Sequence, residues 1–382
     1  MLTALGFDRL AVQARYPGAE RVPAPSALLS LWALKLLDKE RRSHIDDFNC
    51  DTGRDQQQAL LQGWVRALAP VMFPDASGFS RDFHPIPDRG EPSGLDRHYL
   101  PRRGVAGPSV LSFFALEQES RCLCYSNADL TRADQKGEVM RFVEFWHAIT
   151  ATDPRWLDFD SKLIDYPEMA RVNQRKIQFV TPRRRGAAIL RRLERRPTSE
   201  WKEAVIDTPK RCHQQIRYLD ETVHLRGSEG PIRQIAVTGL GRDQPTLFLS
   251  HDFEETAREL IIRYAGRNRI EDGVGISVNF FHLDCLASEV RLNVDLDAAL
   301  TVIANGCYRW LASRLRGFEK AAPKQLYRRF VETGGTVQIQ EDRIKVTFER
   351  RSHNPILREA ALDRSPIAVP WLGGRRLVFA FR

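Results

Sequence analysis

Lysine is scarce in this chain: of 58 basic residues in a length of 382, ten are lysine and the rest arginine. Apolar runs are short as well. None approaches the roughly 18 residues needed to cross a bilayer, and the stretch from Ala27 to Leu37 falls well below that length. No membrane partner is expected. The six cysteines (Cys50, Cys122, Cys124, Cys212, Cys285 and Cys307) form no C-x-x-C pair. A structural zinc site is therefore not expected, and the thiols should be free, as in a cytosolic protein. The first residues show no basic leader followed by an apolar block, so export is not expected either. Internal repeats, low-complexity tracts and a nucleophilic Ser or Tyr motif are also missing.

What is present is positive charge. The 58 basic residues outnumber 49 acidic ones, for a net +9. Arginine presents a planar fork that matches phosphate oxygens. A GC-rich coding sequence would give the same Arg:Lys ratio, but the net charge leans toward a nucleic-acid partner. At 42% apolar residues the chain can bury a substantial core, and its length suggests two or three pieces.

Residues 1–75 read as helical, with an apolar stretch after Pro25-Ser26 and a second helical pattern around Gln57 to Leu68. The turn-rich run from Phe73 to Gly78 reads as a boundary. Strands follow at Phe79 to Ile86, Ser109 to Leu116 and Cys122 to Ser126, the last two as a hairpin. Val139, Phe142, Val143 and Trp146 mark a helix from about Gln135 to Ile149, which Asp153-Pro154 breaks. Trp156 to Asp160 reads as a strand, Tyr166 to Asn173 as a short helix and Ile177 to Thr181 as a strand. The series predicts an α/β fold with a mixed sheet. Residues 200–250 are strand-like without helices and read as a β-rich insertion. A helical pattern, with Asp252 as its expected N-cap, runs from Glu254 to about Phe281, and Gly266, Gly273 and Gly275 inside it count against one unbroken helix. Another spans Leu296 to Leu315, and the tail is β-rich. We expect three regions: 1–75 helical, 76–292 α/β and 293–382 mixed.

Three acids stand out by position. Asp82 lies in the first strand, Asp160 ends the strand after the crossover helix, and Glu271 lies on the helix beyond the insertion. The first strand and the post-crossover strand can be parallel neighbours, so their acids would meet at one end of the sheet. Three carboxylates together require a cation, and hard oxygen ligands suit Mg²⁺ or Mn²⁺. Two such ions can support phosphodiester cleavage. Tyr264, Arg267 and Glu271 fall at i, i+3 and i+7, one face of a helix. Arg183, Arg184 and Arg185, followed by Arg191, Arg192, Arg195 and Arg196, can form a phosphate-tracking surface or a solvated helix face. His84 and His282 read as packing or hydrogen-bonding residues and not as ligands; Cys122, Cys124, Trp146 and Trp156 read as core.

The segment YAGRNRIE at 264–271 resembles the Y-x-x-R-x-x-x-E signature of insertion-sequence DDE transposases, which have an RNase-H-like core. LDFDSKL at 157–163, IQFVTPRRR at 177–185, LFLSHD at 247–252, FFHLDCLASEV at 280–290, VDLDAALTVIA at 294–304, YSNADL at 125–130 and VPWLGGRRL at 369–377 are similar in the same order. The resemblance runs from about residue 20 to the end. It implies an RNase-H-like mixed sheet carrying a β-rich insertion before the catalytic Glu helix, and a helical N-terminal region that binds DNA. It implies Asp82, Asp160 and Glu271 as catalytic, metal-holding acids, with Asp129 as the rival first acid. Tyr264, Arg267 and Arg183 to Arg185 would contact DNA, and the cofactor would be two Mg²⁺ or Mn²⁺ ions. The partner would be double-stranded DNA, at element ends and target, held by a homodimer in the prokaryotic cytoplasm at the nucleoid. Strand cleavage and transfer would follow without a covalent protein–DNA intermediate.

The chain departs from that pattern at three places. Val278 stands where the signature continues with a lysine. Pro85 sits in the first strand, where a central strand needs its N–H. The N-terminal region is short between Cys50 and Leu68. These departures point to an alternative, an inactive remnant that still binds DNA. A nuclease on the same core is a further one.

Overall fold

The computed structural model describes residues 6–16, 23–39, 54–74, 76, 78–88, 95–162, 165–208, 211–228, 230–285, 290–361 and 368–382. Three helices come first: α1 (Phe7–Gln13), α2 (Ala24–Leu36) and α3 (Arg54–Met72). Pro25 sits in the first turn of α2, where its missing N–H would have no helical partner anyway. Phe7 lies 5.6 Å from Trp32 and 6.3 Å from Trp64, joining the three apolar faces. The stretch expected to be shortened begins at Cys50, outside the described residues, and its later part lies within α3.

The sheet strands are β1 (Gly78–Pro87), β2 (Arg97–Leu100), β3 (Val105–Glu117), β4 (Cys122–Leu130), β5 (Trp156–Phe159), β6 (Gln178–Arg183), β7 (Lys202–Thr208), β8 (Arg211–Val223), β9 (Ile232–Thr238) and β10 (Thr246–Ser250). Their order is β2-β3-β1-β5-β6-β10-β9-β8-β7, with β4 also paired to β3. The expected α/β architecture with a mixed sheet is present. β1, β5 and β6 are parallel neighbours; the other pairings are antiparallel. The β-rich stretch at 200–250 extends this main sheet through β6. Strand β2 was not anticipated, because the short RHYL segment has no apolar alternation to reveal it.

Helix α4 (Glu138–Thr150) carries the chain from β4 back to β5. Its aromatic stripe packs on the sheet, with Phe142 at 5.2 Å and Trp146 at 4.5 Å from Phe79. The helix ends at Ala151, whose φ of 57° stops the α geometry just before Asp153-Pro154. Helix α5 (Tyr166–Gln174) begins with Asp165 accepting the Glu168 N–H at 3.1 Å, a side-chain cap, and returns the chain to β6. A short helix, α6 (Ala187–Glu194), follows β6.

Helices α7 (Ala257–Ala265), α8 (Asn268–Phe280) and α9 (Arg291–Arg314) complete the main body. Thr256, not Asp252, caps α7, in a reciprocal box with Glu259. Asp252 instead accepts the N–H groups of Glu254 and Glu255 in the preceding turn. α9 covers β4: Asp295 accepts the Ala128 N–H at 2.6 Å and Asn305 that of Leu123 at 2.9 Å. This satisfies an otherwise open sheet edge. Lys35 on α2 pairs with Asp297 on α9 at 2.9 Å, deep in the same core. In the tail, β11 (Gly335–Ile339), β12 (Arg343–Phe348) and β13 (Arg376–Phe381) form a three-stranded sheet. Among the described residues, no helix is long and apolar enough to cross a membrane.

Candidate active site

Strands β1 and β5 pair in register, Ser80 with Asp158 and Arg81 with Phe159. One residue further along each strand come Asp82 and Asp160. Side chains alternate along a strand, so Ser80, Asp82, Asp158 and Asp160 share one face and Arg81 and Phe159 take the other. Pro85 does not interrupt this arrangement. β5 accompanies β1 only as far as Arg81, while β1 and β3 stay in register from Phe79 to Pro87. Pro85 therefore sits where one edge of β1 has no neighbouring strand to bond.

Helix α8 packs across β1 and β3 and brings Glu271 to the same end of the sheet. Gly273 permits the close approach, since a Cβ there would lie 2.8 Å from Leu116 Cδ1. The helical pattern from Glu254 to Phe281 is split at Gly266–Arg267, at the first of its internal glycines. There the backbone bonds tighten to three-residue spacing, with Arg267 N–H on the Tyr264 carbonyl and Arg269 N–H on that of Gly266, each at 3.0 Å. Tyr264, Arg267 and Glu271 thus lie on α7, the joint and α8 rather than on one helix face. Arg267 still gathers them. Its Nη1 is 3.0 Å from Asp82 Oδ2, its Nη2 is 2.9 Å from Glu271 Oε1, and its Cζ is 5.8 Å from the Tyr264 ring.

The electrostatics follow from this crowding. Burial pushes the Asp82 carboxyl up, opposed by Arg267 and reinforced by the charge of Asp160. Burial alone would lower the Arg267 guanidinium, but Asp82, Tyr264 and Glu271 hold it raised. Burial lifts the Tyr264 phenol to about 12. Asp160 Oδ1 accepts the Ser161 N–H at 2.6 Å.

Beneath these groups lies a buried network that the sequence did not reveal. Asp158 Oδ2 accepts from Ser80 Oγ at 3.1 Å and from the Gln118 side-chain amide. Full burial pushes the Asp158 carboxyl up to about 7. Gln118 also accepts from Arg269 Nη1 through its main-chain carbonyl, at 3.0 Å. One residue at the end of β3 therefore ties the β5 strand to the α8 helix. On the opposite face Arg81 is wholly buried, 4.9 Å from the Phe159 ring and 5.7 Å from that of Phe142. None of its three guanidinium nitrogens has a hydrogen-bond partner, and burial lowers its pKa to about 9.

A cleft of about 880 Å³ opens from Asp160, Tyr264 and Arg267 toward Arg183, Arg184, Arg185 and Arg242. Arg184, Arg185 and Arg242 are exposed, whereas Arg183 donates to the Gln234 side chain. Arg242 was not singled out from sequence; its signal is a lone arginine in the glycine-rich turn between β9 and β10. Other expected residues lie elsewhere. Arg192 and Arg196 are paired with Glu221, which fits a solvated, ion-paired face. Asp129 lies on β4, separated from β5 by β3 and β1. His84 pairs with Asp284 at 2.7 Å and His282 with Asp38 at 3.1 Å, as hydrogen-bonding residues. Val278 is buried, as are Cys122, Cys124, Trp146 and Trp156.

The donor set at the site is all hard oxygen, the chemistry that suits Mg²⁺ or Mn²⁺. Asp82 and Glu271 share the Arg267 guanidinium, and the charge of Asp160 is felt at Asp82. Among the described residues, however, no three His, Cys, Asp or Glu side chains already stand close enough to hold a metal ion. Arg267 lies between Asp82 and Glu271.

No protein-family description matches the chain, and no curated protein does. Among solved structures, the chain is similar to the piggyBac transposase synaptic complex with hairpin DNA. The identity is 10%, over 85% of this chain and 77% of that one, with a TM-score of 0.45.

Proposed function

We propose that the chain is a DDE transposase of the insertion-sequence type, cutting and joining DNA strands at the ends of a mobile element. The observation that carries this reading is the placement of Asp82 and Asp160 at the same rank of parallel strands, with Glu271 tied to Asp82 through Arg267. The arginine-lined cleft that opens from Asp160 supplies a path for phosphates. Asp82, Asp160 and Glu271 would hold two Mg²⁺ or Mn²⁺ ions, which supply an activated water and stabilise the leaving oxygen. Arg184, Arg185 and Arg242 neutralise the DNA backbone approaching the acids. Arg267 and the Tyr264 phenol, whose burial keeps it protonated, orient the reacting phosphate by donating hydrogen bonds. Gln118 and Asp158 fix the second and third acids relative to one another from below. Strands β7 and β10 and the turn before β10 form one wall of the DNA cleft. Two element ends must be held together, so the acting species is a homodimer on double-stranded DNA.

The test is incubation of the protein with a DNA fragment carrying the gene's own flanking sequences and Mg²⁺ or Mn²⁺, followed by mapping of cuts. Cuts at the element boundaries that vanish in Glu271→Gln and Asp160→Asn, with DNA binding retained, support the reading. Normal cutting by either variant overturns the assignment of that acid. A second reading, a DNA-binding remnant without cleavage, draws on the Arg267 ion pairs that hold Asp82 and Glu271 and on Val278. It predicts binding without cuts. A nuclease on the same core would cut without regard to the element ends.

A further inference from the structure

A second cavity, of about 470 Å³, lies on the other side of the acids from the arginine cleft. Asp82 and Glu271 line it, whereas Asp160 and Arg267 line the first cleft. The two cavities meet along the Asp82–Arg267–Glu271 bridge. Val274 and Val278 of α8 give the second its apolar lining, and Arg102 and Arg103 stand on its rim. Both arginines are exposed and belong to the turn joining β2 to β3, which closes through Gly104 at a φ of 66°. Arg102 donates to Asn279 of α8 at 2.8 Å, so the turn is tethered over the helix.

Gly275 supplies an independent observation. It occupies the interior of α8, where glycine is disfavoured relative to alanine. A Cβ there would meet nothing within 4 Å, and the residue lines the cavity. No packing contact requires a glycine, and its effect is to leave the mouth of the cavity open.

We propose that this cavity takes the DNA strand on the far side of the reacting phosphate from the arginine cleft. Sugar and base would rest against Val274 and Val278, and the next phosphates would lie against Arg102 and Arg103. The inference rests on the phosphodiester chemistry proposed above. Displacement at phosphorus places the attacking and leaving oxygens in line, so the strand must continue on both sides of the acids. An apolar lining beside a cationic rim matches a nucleotide, with its apolar sugar and base faces and its charged backbone.

The test is fluorescence anisotropy with a fluorescein-labelled duplex of arbitrary sequence and its single strand, titrated over a range of salt. The chains compared are the wild type, Arg102→Ala/Arg103→Ala, Arg184→Ala/Arg185→Ala, Gly275→Trp and Gly275→Ala. Thermal melts confirm that each is folded. Each double variant should flatten the slope of log K against log salt by about 1.4 to 1.8, for two lost phosphate contacts. Gly275→Trp should weaken binding about tenfold or more, the scale of one lost base stack, with Gly275→Ala like the wild type. If only the Arg184/Arg185 variant changes, or if either the rim or the Gly275→Trp effect is missing, the inference fails while the proposed function stands. If the wild type shows no salt-dependent DNA binding, the proposed function fails first.

Discussion

Arg267 and Asp82 form an ion pair at 3.0 Å across 185 residues of chain, and the same guanidinium holds Glu271 at 2.9 Å. One side chain thus neutralises two of the three acids proposed to hold metal ions. On the proposed function, Arg267 and a metal ion would compete for those carboxylates. Replacing Arg267 with Gln removes the competitor and leaves the negative charge uncompensated. Unit charges this close interact by several kcal/mol even at an effective dielectric of about 20. We expect the metal-free Arg267→Gln chain to bind Mn²⁺ about tenfold more tightly than wild type in calorimetric titration near pH 8. Weaker binding in the variant would show that Arg267 positions the acids instead.

Gln118 makes a second prediction, about positioning. Its amide donates to buried Asp158 and its carbonyl accepts from Arg269 on α8. Gln118→Ala removes the bond to Asp158 and the amide's second one, to Ser80 Oγ at 3.1 Å, and retains the carbonyl bond, so the cost in urea unfolding should be ~1 kcal/mol. Gln118→Glu places a second carboxylate against a buried one, and should cost about 2 kcal/mol or more. Reversal of that order would mean that the amide is not a donor to Asp158.

Much of this arrangement was legible in the sequence because the relevant signals are local. The aromatic stripe of α4 and the alternation of the strands are set by periodicities that nearby residues carry. Parallel neighbours joined by a crossover then follow from chain handedness, which is why Asp82 and Asp160 could be placed together. The rest depends on non-local contacts. Gly266 marked a weak point in the α7–α8 pattern, but the three-residue bonds that make the break there are not a matter of periodicity. Arg192 could not be separated from Arg184 until Glu221 was seen beside it. Gln118 has no motif, and its role exists only because β3, β5 and α8 converge. β2 was missed because its pairing with β3, not its own pattern, makes it a strand. Pro85 read as a flaw only while β5 was assumed to run the full length of β1.

His251 gives a pH prediction away from the acids. Its ring is 4.5 Å from that of Phe179, neither ring nitrogen has a hydrogen-bond partner, and burial lowers its pKa to about 4. The unfolded chain, with His near 6.5, binds the proton more readily than the folded one. Stability from this site is therefore full above about pH 6.5 and declines as pH falls from there to about 4. Allowing for partial solvent screening, the loss should reach about 1–2 kcal/mol. His251→Phe should flatten that limb in urea denaturation measured from pH 7 to 4. An unchanged pH dependence in the variant would assign the acid limb to other groups.

Arg81 is the buried charge with the least compensation among the described residues. Its three guanidinium nitrogens lack hydrogen-bond partners, and the aromatic rings of Phe142 and Phe159 are its close neighbours. Those rings and the charge of Asp158 favour the cation, yet the pKa falls to about 9, so desolvation is the larger effect. A buried ion is often replaced by an apolar side chain of similar size without loss, and sometimes with a gain of 1–4 kcal/mol. Methionine matches the length of the arginine stem and fills irregular space between rings. Arg81→Met should therefore raise the unfolding free energy by about 1–2 kcal/mol, read as a higher urea midpoint at unchanged slope. Because Asp158 would lose its nearest buried cation, its carboxyl should move further up from about 7. Carbon-13 titration of that carboxyl would detect the shift independently of stability. A destabilised variant with an unmoved Asp158 would mean that Arg81 is satisfied by contacts other than these rings and this charge.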